Sequence, residues 1–490
     1  MKRILLALAG TLALATVAGA ATPIPTDPNA APVPAYVGAP ATPRRVHAPA
    51  VLQHPFMAPN GRSNIHDDAY QTDTYVGSGP LGRNPEVLST LQSAECASLT
   101  IDSQGRIVTI CVGVEGPTLV MMDAATLDQL ASFPLPPRSG GGGGVFSDFS
   151  GGGYFYLDEQ DRAVIPTNNH QIWVVGETTL PTGGPAFQLV TTYDLTTVVQ
   201  PTEGIISCLP DWSGTLWFAT VNGLVGTIDP VGGTVQSMRL AGEMIGNSFA
   251  VDETGGVFIV SDHAMYRFDA GTMREPAVTW REEYDRGTRL KPGQTNFGSG
   301  TTPTLMGKRW VAITDNADPQ MHVLVYWRAP ATRRPRLLCA VPVFADGMSA
   351  TENSVIGTGK SIVVENNYGY SGPTAVMNGA ATEPGITRID VRSSGRCRPR
   401  WTSAERVPST VEKLSLASGL VYTYTKDPGP GSTDAWYLTA VSFKTGATQW
   451  KRLVGTGFGY NNNFGPVSLG PNGTAYVGVL GGLTLVRDTQ

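Results

Sequence analysis

A chain of 490 residues with 58 glycines, 41% hydrophobic and only 15% charged residues has ample apolar material for a large, turn-rich core. A formal net charge of −5 without basic tracts excludes nucleic acid and anionic membrane as expected partners. The five cysteines follow no zinc-ligand spacing.

Residues 1–20 read as a signal peptide: Lys2 and Arg3 form the basic end, Ile4 to Val17 the apolar run, and Ala18-Gly19-Ala20 the cleavage site. The run is too short to span a bilayer, and no transmembrane segment is expected elsewhere. The protein is therefore expected to be exported, to the periplasm or the extracellular space. Residues 21–60 are rich in Pro and Ala and read as a disordered or extended tether. Residues 61–84 are polar and aromatic, and are expected to form an ordered loop across one face of the domain at 61–490. Within this loop His66, Asp67, Asp68 and Asp73 are either metal ligands or hydrogen-bonded caps.

From residue 86 onward one phrase recurs about eight times: a short apolar strand, a Gly or Asn turn, and a second apolar strand. It is plain at Ser98 to Ile110, Ile206 to Ala219, Ser248 to Val260 and Pro466 to Gly478. The turns fall at Gly105, Asn169, Gly214, Gly255, Gly307, Gly359, Gly419 and Gly473, at intervals of about 53 residues. In the second repeat, Tyr154 to Asp158 adds a strand and Gln160-Asp161 offers an alternative turn; Gly140 to Gly144 precede it as a flexible run. Short strands repeated at this spacing predict an all-β fold, a single β-propeller of eight four-stranded blades, with seven as the alternative. The last repeat supplies only three strands, whereas Glu86 to Leu91 precede the first repeat. An N-terminal strand that completes the last blade would close the ring and remove its open edges.

Cys96 and Cys111 lie symmetrically about the Asp102-Ser-Gln-Gly105 turn, which places them opposite one another in a hairpin and predicts a disulfide. Cys339 and Cys397 fall on outer strands of successive blades, a separation expected to be too large for a bond unless a loop strays inward. Cys208 reads as a buried small hydrophobe.

A second signature marks the turns between third and fourth strands: an apolar residue, Asp, then often Thr-Gly, as at Met122-Asp123, Tyr193-Asp194, Ile228-Asp229, Phe268-Asp269 and Ile389-Asp390. Its fullest form runs from Ala440 through Ser442, Thr445-Gly446 and Trp450. This resembles the repeat of quinoprotein (PQQ-dehydrogenase)-like eight-bladed propellers, Ala-x-Asp-x-x-Thr-Gly-x-x-x-Trp, with Ser442 in place of Asp. Residues 214–230 resemble a streptogramin-lyase-type blade. The resemblance covers most of 86–490 and implies the fold; the fold class spans enzymes, scaffolds and binding proteins. Quinoprotein dehydrogenases commonly carry adjacent cysteines beneath the cofactor, and this chain has no Cys-Cys pair.

In a propeller, the approaches to the inner strands and the ends of the second strands share one face around the axis. Here they carry Glu95, Glu203, Asn247, Asn296, Glu352, Asn353, Glu412 and Asn461-Asn462-Asn463, together with Glu115, Glu177, Asn222, Asp262, His263, Asp315, Asn316, Glu365, Asn366, Asn367 and Asp427. Glu352, Asn353, Glu365, Asn366, Asn367, Tyr368, Asp315, Asn316, Asp262, His263 and Asn462 are the candidate ligand-binding set. Glu365, Asn366 and Asp315 could hold Ca²⁺, which takes six to eight oxygen ligands in irregular geometry. The competing reading is that these side chains end strands and shape turns. Tyr368 and Tyr370 either wall a pocket or pack their loop; His170 and His322 complete no secure metal set. No Gly-x-Ser-x-Gly, His-Glu-x-x-His or Cys-x-x-Cys-His motif occurs. The expected function is an exported propeller that binds a small molecule, a glycan or a partner protein at a polar axial pocket. The alternatives are a Ca²⁺-dependent lactonase-type hydrolase and a quinone-dependent oxidoreductase.

Overall fold

The computed structural model describes residues 21–138, 148, 150–392 and 395–489. Residues 1–20, expected as a signal peptide, and the Gly140 to Gly144 run lie outside them. The strands pair into eight antiparallel sheets that form the blades of a β-propeller, with no helix long and apolar enough to cross a membrane among the described residues. Seven-bladed closure is thereby excluded.

The tight turn between the first two strands repeats one local solution. Asp102 Oδ1 accepts from the backbone N–H of Gln104 and Arg106, Asp211 from Ser213 and Thr215, and Asp252 from Thr254 and Gly256. Such Asx turns need a residue with positive φ, and Gly105, Gly214 and Gly255 supply it. Blade 2 obeys the same rule with a different residue. Asp158 accepts from Gln160 and Arg162, and Asp161 takes the left-handed position at φ 56°. Its inner strand is Tyr156–Leu157, so the turn at Asn169 joins the second and third strands, not the first and second. The missing glycine hid the true turn.

The ring closes as the strand count requires. Pro85–Leu91 pairs antiparallel with Gly482–Asp488 and becomes the outer strand of blade 8, whose other strands are Val467–Leu469 and Ala475–Val479. The edge that the C-terminus leaves open is thus covered by the start of the domain.

Residues 21–60 are not a free tether. Tyr36–Gly38 adds a strand to the outside of blade 7 by pairing with Trp450 to Arg452. Backbone hydrogen bonds pin Thr22 to Leu91, Asp27 to Thr456, Arg44 to Ser418 and Val46 to Leu416. Ile24, Ala41, Met57 and Ala58 are buried. Proline-rich backbone suits this role, because it stays extended and lies along edges without needing partners of its own.

Residues 61–76 do not cross a face; they wind through the axis and touch the blades in order. The carbonyl of Arg62 accepts from Thr100 Oγ1 of blade 1 and that of Ser63 from Leu157 N of blade 2. The carbonyls of Ala69, Tyr70, Thr72 and Asp73 then accept from Val251 (blade 4), Leu305 (blade 5), Gly357 (blade 6) and Leu414 (blade 7). Thr74–Tyr75 ends the passage as a strand parallel to Lys413–Ser415, the innermost of blade 7. This axial segment supplies acceptors to inner-strand N–H groups that would otherwise face the channel unpaired.

Cys96 and Cys111 are bonded across the blade 1 hairpin, with Cα atoms 4.0 Å apart. Cys339 and Cys397 are bonded too, at a Cα separation of 6.2 Å, contrary to the separation expected for outer strands. The blades do not splay at this point: Leu338, Cys339, Phe344 and Cys397 pack on one shared apolar cluster between blades 5 and 6. Cys208 is buried and unbonded. A non-reduced digest is expected to give two linked peptide pairs and one thiol that reacts only after unfolding. Removing the Cys96–Cys111 bond should cost up to about 3 kcal/mol, the value for a loop near 15 residues, read as a shift in denaturant midpoint.

Candidate functional site

On the face formed by the inner-strand approaches, the axial segment stops short of the surface and leaves a cavity of about 290 Å³. Ile65 and His66 of that segment form its floor, and Glu352, Asn353, Ser354, Tyr154, Asn247 and Thr302 line its depth. Ala94, Glu95, Val112, Val114, Phe464 and Leu480, from blades 8 and 1, surround its mouth.

His66 is held from behind. It is 2% exposed, and its Nδ1 lies 3.0 Å from Asp73 Oδ1 and 3.1 Å from Ser354 Oγ, while Ser354 Oγ donates to Asp73 Oδ2 at 2.6 Å. Lys413 Nζ lies 2.5 Å from Asp73 Oδ1 and 3.5 Å from Asp67 Oδ2. Burial opposes the charge on Asp73, but the Lys413 ammonium and the His66 ring outweigh it and hold the carboxyl below the usual range. An ionised Asp73 has no proton to give, so Nδ1–H donates to it, and in the neutral form of the ring Nε2 is the acceptor. Nε2 is buried and has no hydrogen-bond partner among the described residues. Tyr154 stacks on the ring, with centroids 6.2 Å apart, and donates from its hydroxyl to Asn247 Oδ1 at 3.0 Å.

The carboxyls around the axis outnumber the cations. Burial pushes Glu352 up to about 7, against the hydrogen bonds it accepts from Thr295 N and Oγ1. Burial raises Glu95 to about 8, although Asn463 donates to it and Arg138 stands near. Glu365 is raised to about 8, Asp67 to about 8 and Asp68 to about 7, again chiefly by burial. Glu412 is pushed well up by burial and by the neighbouring Glu365.

The candidate ligand set is split by the structure. Glu352 and Asn353 line the cavity. Glu365 accepts from Thr351 Oγ1 at 3.2 Å. Asn366 spends its amide on Ala350 N, Tyr368 N, Met348 O and Pro384 O, and Asn367 accepts from Thr351 Oγ1 and Glu352 N. These two asparagines brace the loop that carries Glu352. Asp315 accepts from Ala317 N and His322 N and faces the His322 ring, while Asn316 donates to the carbonyls of Arg286 and Arg289. Asp262 pairs with His263 and Arg286, and Asn462 donates to Thr410 Oγ1 and Gly465 O. Tyr368 is half-buried; Tyr370 is fully buried and donates to Asn461 and Asn463, which packs its loop.

Glu365, Asn366 and Asp315 each have hydrogen-bond partners of their own. Among the described residues no three His, Cys, Asp or Glu side chains gather in a metal-binding arrangement. In the 66–73 stretch, Asp68 caps Tyr70 and Thr72, and Lys413 occupies the place beside Asp73 that a cation would take. Sequence reasoning singled out neither Lys413 nor Ser354 nor Tyr154. The one available signal was Glu412-Lys413, a charged pair in a strand position that most repeats fill with apolar residues.

Fold and site together define a closed eight-bladed β-propeller with a threaded axis and a single-ended axial pocket. No protein-family profile matches the chain. A protein of Archaeoglobus fulgidus, described as an uncharacterized protein, is 29% identical over 318 residues, or 57% of this chain, and the chain spans 60% of that relative's length. Among solved structures, streptogramin B lyase aligns over 82% of this chain and 98% of its own, at 11% identity and a TM-score of 0.38. The C-terminal WD40 domain of Sif2 aligns over 83% and 99%, at 9% identity and a TM-score of 0.47. The propeller assignment itself rests on the strand pairing.

Two outcomes test the axial chemistry. Asp73→Ala leaves Lys413 buried with only the more distant Asp67 carboxyl and the Ile65 carbonyl as partners, and is expected to destabilise the protein by about 3 kcal/mol in urea titration; a loss below about 1 kcal/mol would refute the ion-pair assignment. Second, carboxyls raised to about 7–8 hold protons in the folded state that the unfolded chain has released. Stability should therefore be greatest below about pH 4.5 for these groups and fall as pH rises towards 8. Urea midpoints at pH 5 and pH 8 should show that fall, shallower in Glu352→Gln. A flat profile contradicts the burial argument.

Proposed function

We propose that the protein is an exported propeller that binds a small organic ligand in the axial pocket. The observation that carries this reading is an open cavity lined by His66, a buried residue whose Nε2 has no hydrogen-bond partner among the described residues. A buried polar atom normally finds a partner, and one left open where a cavity reaches it is a ligand contact in waiting. The apolar mouth and polar floor suit an amphipathic small molecule better than a flat protein surface or an extended glycan. Export is supported by the basic and apolar character of residues 1–20 and by two disulfides, which persist in oxidising compartments. Kinship with the quinoprotein-like propellers is supported by the repeat ending in Trp450, which is fully buried beside Tyr422.

One observation favours a hydrolase as the second reading. The Asp73–His66 pair, on a residue that lines the cavity, has the carboxylate–imidazole arrangement of an oriented general base. Neither a metal-dependent lactonase nor a quinone enzyme gains similar support from the residues present.

Crystals soaked with a fragment library should show density in contact with His66, Glu352 and Asn353. Val112→Trp, which fills the mouth, should abolish that density without lowering the melting temperature. Fragments or partners found only on the outer strands would overturn the pocket reading in favour of a protein-binding rim.

A further inference from the structure

We infer that the ligand of the axial pocket is an organic ammonium, its N–H groups directed to His66 Nε2 and Glu352 and its apolar body held at the mouth. The inference rests on the reading that this pocket is a ligand site and adds the class of ligand.

The geometry is one of surplus acceptors. At the floor, His66 Nδ1 is committed to Asp73, and Nε2 is left without a hydrogen-bond partner among the described residues. Asp73 and Lys413 neutralise one another beneath it, so no net cation stands behind the floor. Glu352 lines the same depth and is met by the amide and hydroxyl of Thr295, with no cation bonded to it. The Tyr154 hydroxyl, the nearest strong donor, is already given to Asn247 Oδ1. At the mouth Glu95 faces inward, and the one arginine of the lining, Arg138, lies 3.8 Å from Asp148 and donates to Ser150 O. The described lining therefore holds three carboxyl groups against one guanidinium.

An anionic ligand entering this pocket would bring further lone pairs to groups that already lack donors and would oppose any ionisation of Glu352 and Glu95. A neutral ligand would leave Glu352 as uncompensated as before. An ammonium supplies what is lacking on both counts: N–H donors for Nε2 and the carboxylate, and a positive charge that restores the ionised form of a carboxyl which burial otherwise keeps protonated. Tyr154, at the side of the cavity, presents an aromatic surface against which an ammonium is also favoured. The apolar ring of Val112, Val114, Phe464 and Leu480 then accommodates an aromatic or alkyl group at the other end of the molecule.

The test compares three probes of one shape: 2-phenylethylammonium, 2-phenylethanol and 3-phenylpropanoate. Binding to the full exported protein is followed by the side-chain ¹⁵N resonances of its histidines and by melting temperature. The ammonium should move the His66 Nε2 resonance saturably and bind about tenfold tighter, or better, than the alcohol, with the propanoate weakest. Glu352→Gln should remove that advantage and leave the affinity for the alcohol unchanged. If this variant fails to fold, Asn247→Asp, which adds a further carboxylate to the lining, should strengthen the ammonium selectively. Alcohol or propanoate binding at His66 as tightly as the ammonium would overturn the inference while leaving a small-molecule pocket in place. Silence of all three probes at His66 would overturn both.

Discussion

Eight sheets arranged around an axis leave eight inner strands whose outward partners are in place and whose inward N–H and C=O groups have none. In a channel too narrow for bulk water these groups must be satisfied by something. Residues 61–76 meet that demand with their own carbonyls at blades 1, 2 and 4 to 7, and the rest of the architecture follows from this choice. Because the axis is occupied, the pocket has a floor and one opening. Because the occupant must hydrogen-bond rather than merely fill space, it is polar, and its side chains import charge into the centre of the molecule. Asp73 enters with the segment, and Lys413 on the adjacent inner strand answers it at 2.5 Å.

That pairing also explains why the site has the character it does. Asp73 is the axial carboxyl with a strong cationic partner, and it is held in its ionised form; Glu352, Glu365 and Glu95 lack one and are pushed towards neutrality. The same burial thus ends differently at Asp73, where Lys413 and His66 outweigh it, and at Glu352 and Glu365, where no cation opposes it. His66 lines the cavity at the edge of this network, with one ring nitrogen bound to Asp73 and the other without a partner among the described residues.

The blades were legible in the sequence because each repeats the same local physics: period-two apolar strands and an Asx turn closed by a left-handed glycine. Where Asp161 replaced that glycine, the reading slipped by one strand. Ring closure by Pro85–Leu91 followed from counting strands. The axial segment was not legible, because polar residues such as His66, Asp67 and Asp73 resemble a solvated loop, and the inner edges that make the axis a polar environment exist only once the ring has formed. The face of the pocket could be named from strand ends, and with it Glu352 and Asn353. The division of labour could not, since Asn366, Asn367 and Asn462 have the same composition as ligand-binding amides and spend it on loop backbone. Lys413 and Ser354 reach the site from strands far away in sequence, and no local pattern marks them.

The winding of the N-terminal segment has a temporal consequence. Asp73 and Lys413 are separated by 340 positions, and Leu81 meets Asp488 across 407. A chain made from its N-terminus presents the axial segment first, yet the inner strands that receive it arrive blade by blade. Contacts of such range impose a large loop-closure cost before they return any stabilisation, so assembly is slow and late. Throughout that interval two ionisable residues wait in water, fully hydrated and indifferent to folding. They are committed to a dry interior only when blade 7 is in place, which makes their burial a late signature of an assembled ring.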